Sequence, residues 1–237
     1  MKRLAFTGGS GLLGKELQKY FPDALFPTHH ELDITDTASI TAYFQQNVFD
    51  DMVHLAAFTS PPRIDKDPSR ALMVNIMGTA NIVSACITHA KKIIYISTDY
   101  VFKGDKQKYS EEDAVYPVNK YAWSKLGGEC AVRLYDNHLI IRTSFGATPF
   151  PYKQAFTDQW TSRESVHEIA KKIKRIILSQ AVGTYHVGGI RRTVFDYAIS
   201  LESKNDISPI SRSKVGFEVP KDTSLNTDKY EKLIEKR

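Results

Sequence analysis

The run Leu4-Ala5-Phe6-Thr7-Gly8-Gly9-Ser10-Gly11-Leu12-Leu13-Gly14 constrains this chain more than any other segment. An apolar strand breaks into closely spaced glycines and passes directly into a helical pattern, Leu12 to Tyr20. Glycines there let the backbone turn tightly and approach phosphate oxygens, and the one at Gly14 lets the helix lie close to the strand. The free N–H groups of the first helical turn then point partial positive charge at an anion. The expected pyrophosphate contacts are Gly8, Ser10, Gly11, Leu12, Leu13 and Gly14. An ordinary glycine-rich strand-to-helix turn is the plain alternative, because such a pattern alone has little specificity.

Strand and helix alternate through the following residues. Ala24 to Thr28 reads as a second strand, and Asp36 as the cap of a helix running to Gln46. Asp51 to Ala57 has the continuous apolar character of a buried parallel strand, followed by a Pro-rich loop and a long helix from Pro68 to His89. Lys92 to Ser97 predicts a fourth strand, Asn119 to Leu134 a helix and Leu139 to Arg142 a fifth strand. Repeated units of this kind imply an α/β fold with a doubly wound parallel sheet of Rossmann type, ligands binding at the carboxyl ends of its strands. After Ser144 the rhythm loosens, with helices near Ser165 to Leu178 and Thr193 to Leu201 and a strand at Thr184 to Val187. The expected division is a dinucleotide-binding domain over 1–145 and a small substrate lobe over 146–237, with the strand near 184–187 free to return to the main sheet.

Composition narrows the function classes. The net charge of +5 suits an anionic small ligand, but no dense Lys/Arg block with interleaved aromatics marks a nucleic-acid surface. Cys86 and Cys130 form neither a metal-ligand spacing nor a disulfide framework, so no metal is expected and a reducing cytoplasm is the simplest setting. The basic Met1-Lys2-Arg3 is followed by an apolar stretch broken too early by glycines for a signal peptide, and no run reads as a membrane span. Oligomeric state is not legible, and a homodimer is left open.

The chemistry is expected where Tyr121-Ala122-Trp123-Ser124-Lys125 opens its helix. Residues four apart share a helical face, so a phenol and an ammonium can point into one cleft. Bringing a tyrosine pKa from about 10 to about 7 takes roughly 4 kcal/mol of preferential phenolate stabilisation, part of which a neighbouring lysine can supply. Tyr116 and Lys120 have the same spacing, but Pro117 keeps Tyr116 out of helical geometry, whereas Asn119 can cap a helix carrying Tyr121 and Lys125. A surface helix is the competing reading of the second pair. Ser97-Thr98-Asp99-Tyr100 places hydroxyls at the carboxyl end of the fourth strand, where one can orient a substrate carbonyl, or merely satisfy backbone groups in a turn.

These motifs together resemble the extended short-chain dehydrogenase/reductases, and within them the dTDP-4-dehydrorhamnose reductases. The glycine run resembles the group's Thr-Gly-x-x-Gly-x-x-Gly pattern. His54-Leu55-Ala56-Ala57-Phe58-Thr59, Val74-Asn75 with Gly78, Ser97-Thr98-Asp99-Tyr100-Val101-Phe102 with Gly104, and Tyr121 to Glu129 follow in the family's order. So do Asp158-Gln159, Gly183-Thr184-Tyr185-His186 and Ser224-Leu225-Asn226-Thr227-Asp228-Lys229. The resemblance implies a catalytic set of Thr98, Tyr121 and Lys125: Tyr121 as proton donor to the keto oxygen, Lys125 lowering its pKa and holding the ribose, Thr98 bonding the carbonyl. It implies that Asp33 and Ile34 lie beside the adenine, that Ala56 and Ala57 line the cofactor, and that Thr59, Asp99 and Tyr100 contact substrate. The family often has an arginine where His29 stands, so His29 is expected at the ribose, with NADP as the cofactor and NAD the alternative.

Three departures from the family pattern bear on the substrate. Only thirteen residues separate Ser144 from Asp158, where the family usually carries an additional helix. Its Pro-Thr after the Asp-Gln pair is replaced by Arg163-Glu164, and Ser60-Pro61-Pro62-Arg63 reads as an altered or enlarged loop. The expected activity is reduction of a keto group on a nucleotide-linked 4-keto-6-deoxy sugar. A cofactor-binding regulatory subunit, like the non-catalytic component of methionine adenosyltransferase that the family resembles, is the alternative from another class, and a general carbonyl reductase is a third.

Overall fold

The chain, seen in a computed structural model, is described over residues 2–201 and 206–236; Met1 of the basic tripeptide lies outside them. Its first half runs β1 (Leu4–Thr7), α1 (Leu12–Gln18), α2 (Thr37–Gln46), β2 (Asp51–His54), α3 (Pro61–Lys66), α4 (Pro68–Ala71), a π-helical turn over Leu72–Gly78, α5 (Thr79–Thr88), β3 (Lys92–Thr98), α6 (Lys120–Arg133) and β4 (His138–Thr143). The second half holds short strands β5 (Phe145–Gly146), β6 (Gln154–Phe156), β7 (Trp160–Thr161) and β8 (Glu164–Ser165), then α7 (Val166–Leu178), β9 (Gly183–Val187), β10 (Arg192–Thr193), α8 (Val194–Ile199), β11 (Ser208–Ile210) and α9 (Asp228–Glu235).

Five parallel strands form the central sheet in the order β1-β2-β3-β4-β9. Successive side chains on a strand point to opposite faces, and here both faces are covered. Leu4, Phe6, Ile94, Ile96, Leu139 and Ile141 face a layer containing α1 and α7, while Ala5, Ile93, Tyr95 and Ile140 face α2, α5 and α6. Full burial of each large apolar side chain contributes about 1.5–3 kcal/mol, so strands buried on both sides need no alternation. That is why β2 and β3 read as continuous apolar runs. The strand expected near 184–187 lies in this sheet beside β4.

Several elements differ from the expectations. Ala24 to Thr28 is not a strand: Leu25 alone bridges Ala5, through Phe6 N to Leu25 O (2.8 Å) and Leu25 N to Leu4 O (2.9 Å). A parallel ladder would next need an N–H at position 27, and Pro27 has none. The chain nevertheless crosses to one side of β1 before returning on the other as β2, leaving a switch point at the carboxyl end of β1, where ligands bind in such sheets. Pro61 and Pro62 open the short helix α3 instead of a loop, since proline is tolerated in a first turn.

The long helix after Pro68 is interrupted by a π turn whose Asn75 is buried, accepting from Phe58 N (2.7 Å) and donating to Phe58 O (2.9 Å) and Ser124 Oγ (2.8 Å). In contrast to the sequence reading, Pro68–Thr88 is long and apolar enough to cross a membrane by length and composition. Ile82, Val83 and Cys86 from this helix belong to the core against β3 and α2, while Leu72, Met73, Met77 and Ile87 are exposed.

Beyond β4 the short strands pair as β5 with β8, β6 with β11 and β7 with β10. A small cluster of Phe150, Ala155, Val194, Tyr197 and Ala198 holds them together. The stretch between Ser144 and Asp158 anchors through Phe150 beside the mouth of the sheet.

Candidate active site

The glycine loop is shaped by contacts that a larger residue would destroy. Gly8 has φ +73°, and a Cβ there would sit 2.7 Å from Ala56 N; one at Gly14 would lie 2.5 Å from Gly8 O and 2.6 Å from Gly9 O. Gly11 N bonds Gly8 O at 3.0 Å, closing the turn as α1 begins. Thr7 Oγ1 bonds Ala56 N (3.2 Å) and His54 Nδ1 (2.7 Å), while His54 Nε2 meets Thr79 Oγ1 (3.0 Å), so the ends of β1 and β2 are fixed to each other. Burial, with the Lys125 charge, holds the His54 imidazole down to about 3, so it is neutral. A bare-backbone cradle facing a helix N-terminus fits a dinucleotide pyrophosphate.

A cleft of about 490 Å³ starts at this loop and continues over the carboxyl ends of β3 and β4. Of the residues singled out in the sequence, Gly8, Gly11, Leu12, Leu13, Gly14, Ala57, Thr59, Thr98, Asp99, Tyr100, Tyr121 and Lys125 line it. Ser10, His29, Asp33, Ile34 and Ala56 do not. His29 Nε2 lies 3.6 Å from Asp33 Oδ2 on an exposed turn, and the Ile34 side chain fills the space left by the absent Cβ of Gly78.

The phenol, hydroxyl and amine come together from two elements. Thr98 ends β3, and Asn119 caps α6 by accepting from Ala122 N at 2.9 Å, which sets the helix phase that turns Tyr121 and Lys125 toward the cleft. The Thr98 hydroxyl, which donates to Asp99 Oδ1 at 3.2 Å, lines the same cleft as the Tyr121 phenol and favours its anionic form. Lys125 Nζ donates to Ile96 O at 2.8 Å and sits 4.1 Å from the Tyr95 ring centroid. Tyr116, by contrast, is exposed, and Lys120 reaches Asp65 O at 3.3 Å. The expected lowering of the Tyr121 pKa is not what this geometry produces. Burial pushes it up to about 12, opposed by the Thr98 hydroxyl, and the Lys125 ammonium is itself pushed down to about 7 by burial, opposed by Glu129. Desolvation outweighs pair attraction here, and Tyr121 holds its proton at Oη.

Behind Lys125 lies a buried ion pair that the sequence reading did not single out. Arg142 meets Glu129 in a two-pronged contact, Nε to Oε1 at 3.0 Å and Nη2 to Oε2 at 2.8 Å. On the opposite wall, Asp99 lines the cleft with its oxygens already engaged: Oδ2 accepts from Thr223 Oγ1 (2.6 Å) and Thr161 Oγ1 (3.4 Å), Oδ1 from Thr98 Oγ1 (3.2 Å). Burial pushes this carboxyl up, opposed by the Thr223 hydroxyl. Tyr100 Oη accepts from Gln159 Nε2 at 2.7 Å. The cleft wall also holds Ser97 and Arg163, which the sequence reading named without a site role, and Thr143, Phe145, Phe150 and Tyr152, which it did not place there. Of these four, only the position of Thr143 at a strand end offered a signal.

Residues 1–167, more than half of the chain, match the family described as RmlD substrate binding domain. The chain belongs to that family. Methionine adenosyltransferase 2 subunit beta of Rattus norvegicus is 26% identical over 280 residues, covering 98% of this chain and 82% of the relative. A dTDP-4-dehydrorhamnose reductase of Aggregatibacter actinomycetemcomitans is 37% identical over 155 residues, covering 61% of this chain and 52% of the relative. Among solved structures, dTDP-4-dehydrorhamnose reductase from Bacillus anthracis in complex with NADP superimposes with a TM-score of 0.87 at 26% identity, covering 99% of this chain and 98% of that one. A hypothetical dTDP-4-dehydrorhamnose reductase from Sulfolobus tokodaii gives 0.86 at 28% identity, covering 97% and 94%. The Rossmann-type sheet expected from the alternating pattern is thus the sheet of RmlD-type reductases.

Proposed function

We propose that this RmlD-family chain is an NADPH-dependent oxidoreductase of the extended short-chain type that reduces a keto group on a sugar nucleotide. The observation that carries the reading is the convergence of Thr98 from the end of β3 with Tyr121 and Lys125, one helical turn apart on α6, in a cleft that opens at the glycine loop. The dinucleotide would lie on Gly8, Gly11, Leu12, Leu13 and Gly14, with Ala57 alongside and Lys125 holding the ribose; when bound and reduced, its nicotinamide supplies a hydride to the carbonyl carbon. Tyr121 Oη gives its proton to the carbonyl oxygen, and a phenol that stays protonated at neutral pH is in the state a donor requires. Thr98 orients the carbonyl from the end of β3. Thr59 and Tyr100 contact the sugar, and the stretch 146–237, apart from β9 in the central sheet and α7 and α9 packed against it, supplies the substrate lobe. His29 answers the 2′-phosphate from its exposed turn. Its two free cysteines, Cys86 and Cys130, are consistent with a reducing compartment such as the cytoplasm.

A second reading, a cofactor-binding regulatory subunit, is favoured by one observation: the similarity to methionine adenosyltransferase 2 subunit beta extends over 98% of the chain. Steady NADPH oxidation by the purified chain with a 4-keto-6-deoxy sugar nucleotide decides between them. NADPH binding without turnover across such substrates supports the regulatory reading, and turnover of simple ketones as fast as of the sugar nucleotide points to a general carbonyl reductase.

A further inference from the structure

The substrate side of the cleft carries an unanswered positive charge. Arg163 stands between β7 and β8, at one of the positions where this chain departs from the family pattern, and lines the cleft with Tyr121, Tyr100 and Asp99. Its Nε is buried with no hydrogen-bond partner, and among the described residues no carboxylate forms an ion pair with its guanidinium. Asp99, the acid that shares this wall, has its oxygens held by the hydroxyls of Thr98, Thr161 and Thr223. The backbone of Arg163 is fixed independently of its side chain: its N donates to Thr161 Oγ1 (3.1 Å) and its O accepts from Arg192 Nη2 (3.4 Å). The charge is felt across the cleft, stabilising the anionic forms of Asp99, Tyr100 and Tyr121. Two further polar atoms in the same cleft, Ser97 Oγ and Thr143 Oγ1, are buried without partners.

A half-buried guanidinium left unpaired inside a cleft is a recognition element for a planar or tetrahedral oxyanion, because its rigid fork matches carboxylate and phosphate geometry. We infer that Arg163 is a specificity-determining residue that grips an anionic group of the substrate, a phosphate or a carboxylate carried within about one sugar ring of the reacting carbonyl. This rests on the reductase reading for the word substrate, but the anion site itself does not need turnover. A neutral ketone would leave the buried charge unanswered, so the site selects anion-bearing carbonyl compounds over neutral ones of similar size.

Equilibrium binding to the NADP-loaded full chain tests this separately from activity. The probes are dTDP for a phosphate source, D-glucuronate for a sugar carboxylate and D-glucose as the neutral control, measured by calorimetry for wild type, Arg163→Met and Arg163→Lys. Arg163→Met is expected to weaken dTDP, glucuronate or both by tenfold or more, to leave NADPH affinity within twofold, and to leave the response to glucose unchanged; whichever anion loses more names the source. Arg163→Lys, which keeps the charge but not the fork, is expected to recover part of the loss and serves as the working variant if the methionine protein does not fold. Unchanged affinity for both anions, or equal losses for the anions and NADPH, overturns the assignment. If the chain turns over no keto-sugar yet shows the anion loss, the reductase reading fails and the Arg163 site stands.

Discussion

Lys125 should destabilise the fold that it serves, and replacing it with methionine measures by how much. Its Nζ is buried against Tyr95 and bonded to Ile96 O, and burial takes its pKa from 10.5 to about 7. Because folding lowers this pKa, the unfolded chain binds more protons than the folded one between those two values, and stability rises with pH through that window. Below pH 7 the penalty is present in full. At about 1.36 kcal/mol per pH unit, linkage gives a penalty of about 4 kcal/mol at pH 7 and about 2 kcal/mol at pH 9. Lys125→Met removes it and forfeits one hydrogen bond worth about 1 kcal/mol, so the variant is expected to be about 3 kcal/mol more stable at pH 7 and about 1 kcal/mol at pH 9. Urea unfolding of both proteins at pH 7, 8 and 9 reads the difference, and other groups cancel in the comparison. The same variant should lose keto reduction, the familiar exchange of stability for function at an active site. A variant no more stable than wild type at pH 7, with an identical pH slope, would refute the claim that this ammonium is desolvated.

Tyr121→Phe removes only the phenolic hydroxyl and should lower kcat about 10²–10⁴-fold, as expected for loss of a general acid, while NADPH affinity measured by fluorescence changes only a few-fold; unchanged turnover would take the proton from elsewhere. Tyr116→Phe, on the exposed side of the Asn119 cap, should have little effect in the same assay. His29→Arg should raise the NADPH-to-NADH preference in kcat/KM, because a permanent fork-shaped cation suits a phosphate better than an imidazole does, and an unaltered ratio would mean the turn does not meet the ribose. Gly14→Ala drives a methyl into the carbonyls of Gly8 and Gly9, which are backbone and cannot step aside; it should weaken dinucleotide binding in a titration by tenfold or more, and a near-normal Kd would show that the loop re-forms.

What the sequence disclosed was local. The glycine spacing, the Asp36 and Asn119 caps and the four-residue step from Tyr121 to Lys125 each depend on neighbours along the chain, and each has its counterpart in the structure. The expected second strand failed because one residue, Pro27, removes the N–H that would have continued the ladder beyond Leu25, a detail outweighed in the reading by the apolar run around it. The electrostatics failed for a different reason. Spacing shows that Lys125 shares a face with Tyr121, but not that its ammonium turns to Ile96 O over the Tyr95 ring, where burial decides both pKa values. Arg163 was visible only as a departure from a pattern. Its importance depends on Asp99, 64 positions earlier, being claimed by Thr161 and Thr223 instead of by the arginine.

The polar interior behind the cleft explains how such a lysine is tolerated at all. A Cβ at Gly128 would meet Tyr95 Oη at 2.4 Å, so glycine at that position lets the tyrosine hydroxyl reach Lys125 O (3.2 Å) and lets α6 lie close on β3. One turn further along α6, Glu129 favours the charged form of Lys125 from within the protein, while its own charge is matched by the two-pronged contact with Arg142 on β4. Removing one partner of a buried pair typically costs about 3–5 kcal/mol because the other charge is left uncompensated, so neither Glu129 nor Arg142 can be lost alone without loosening α6 from the sheet. The amine thus stands at the end of a polar column running from β4 through α6, and together with its outer neighbour, Tyr121, it lines the open cleft. A site built this way has little freedom to adapt the phenol or the amine to different substrates. Discrimination falls to the rest of the cleft wall, where Phe150, Tyr152 and Arg163 are presented.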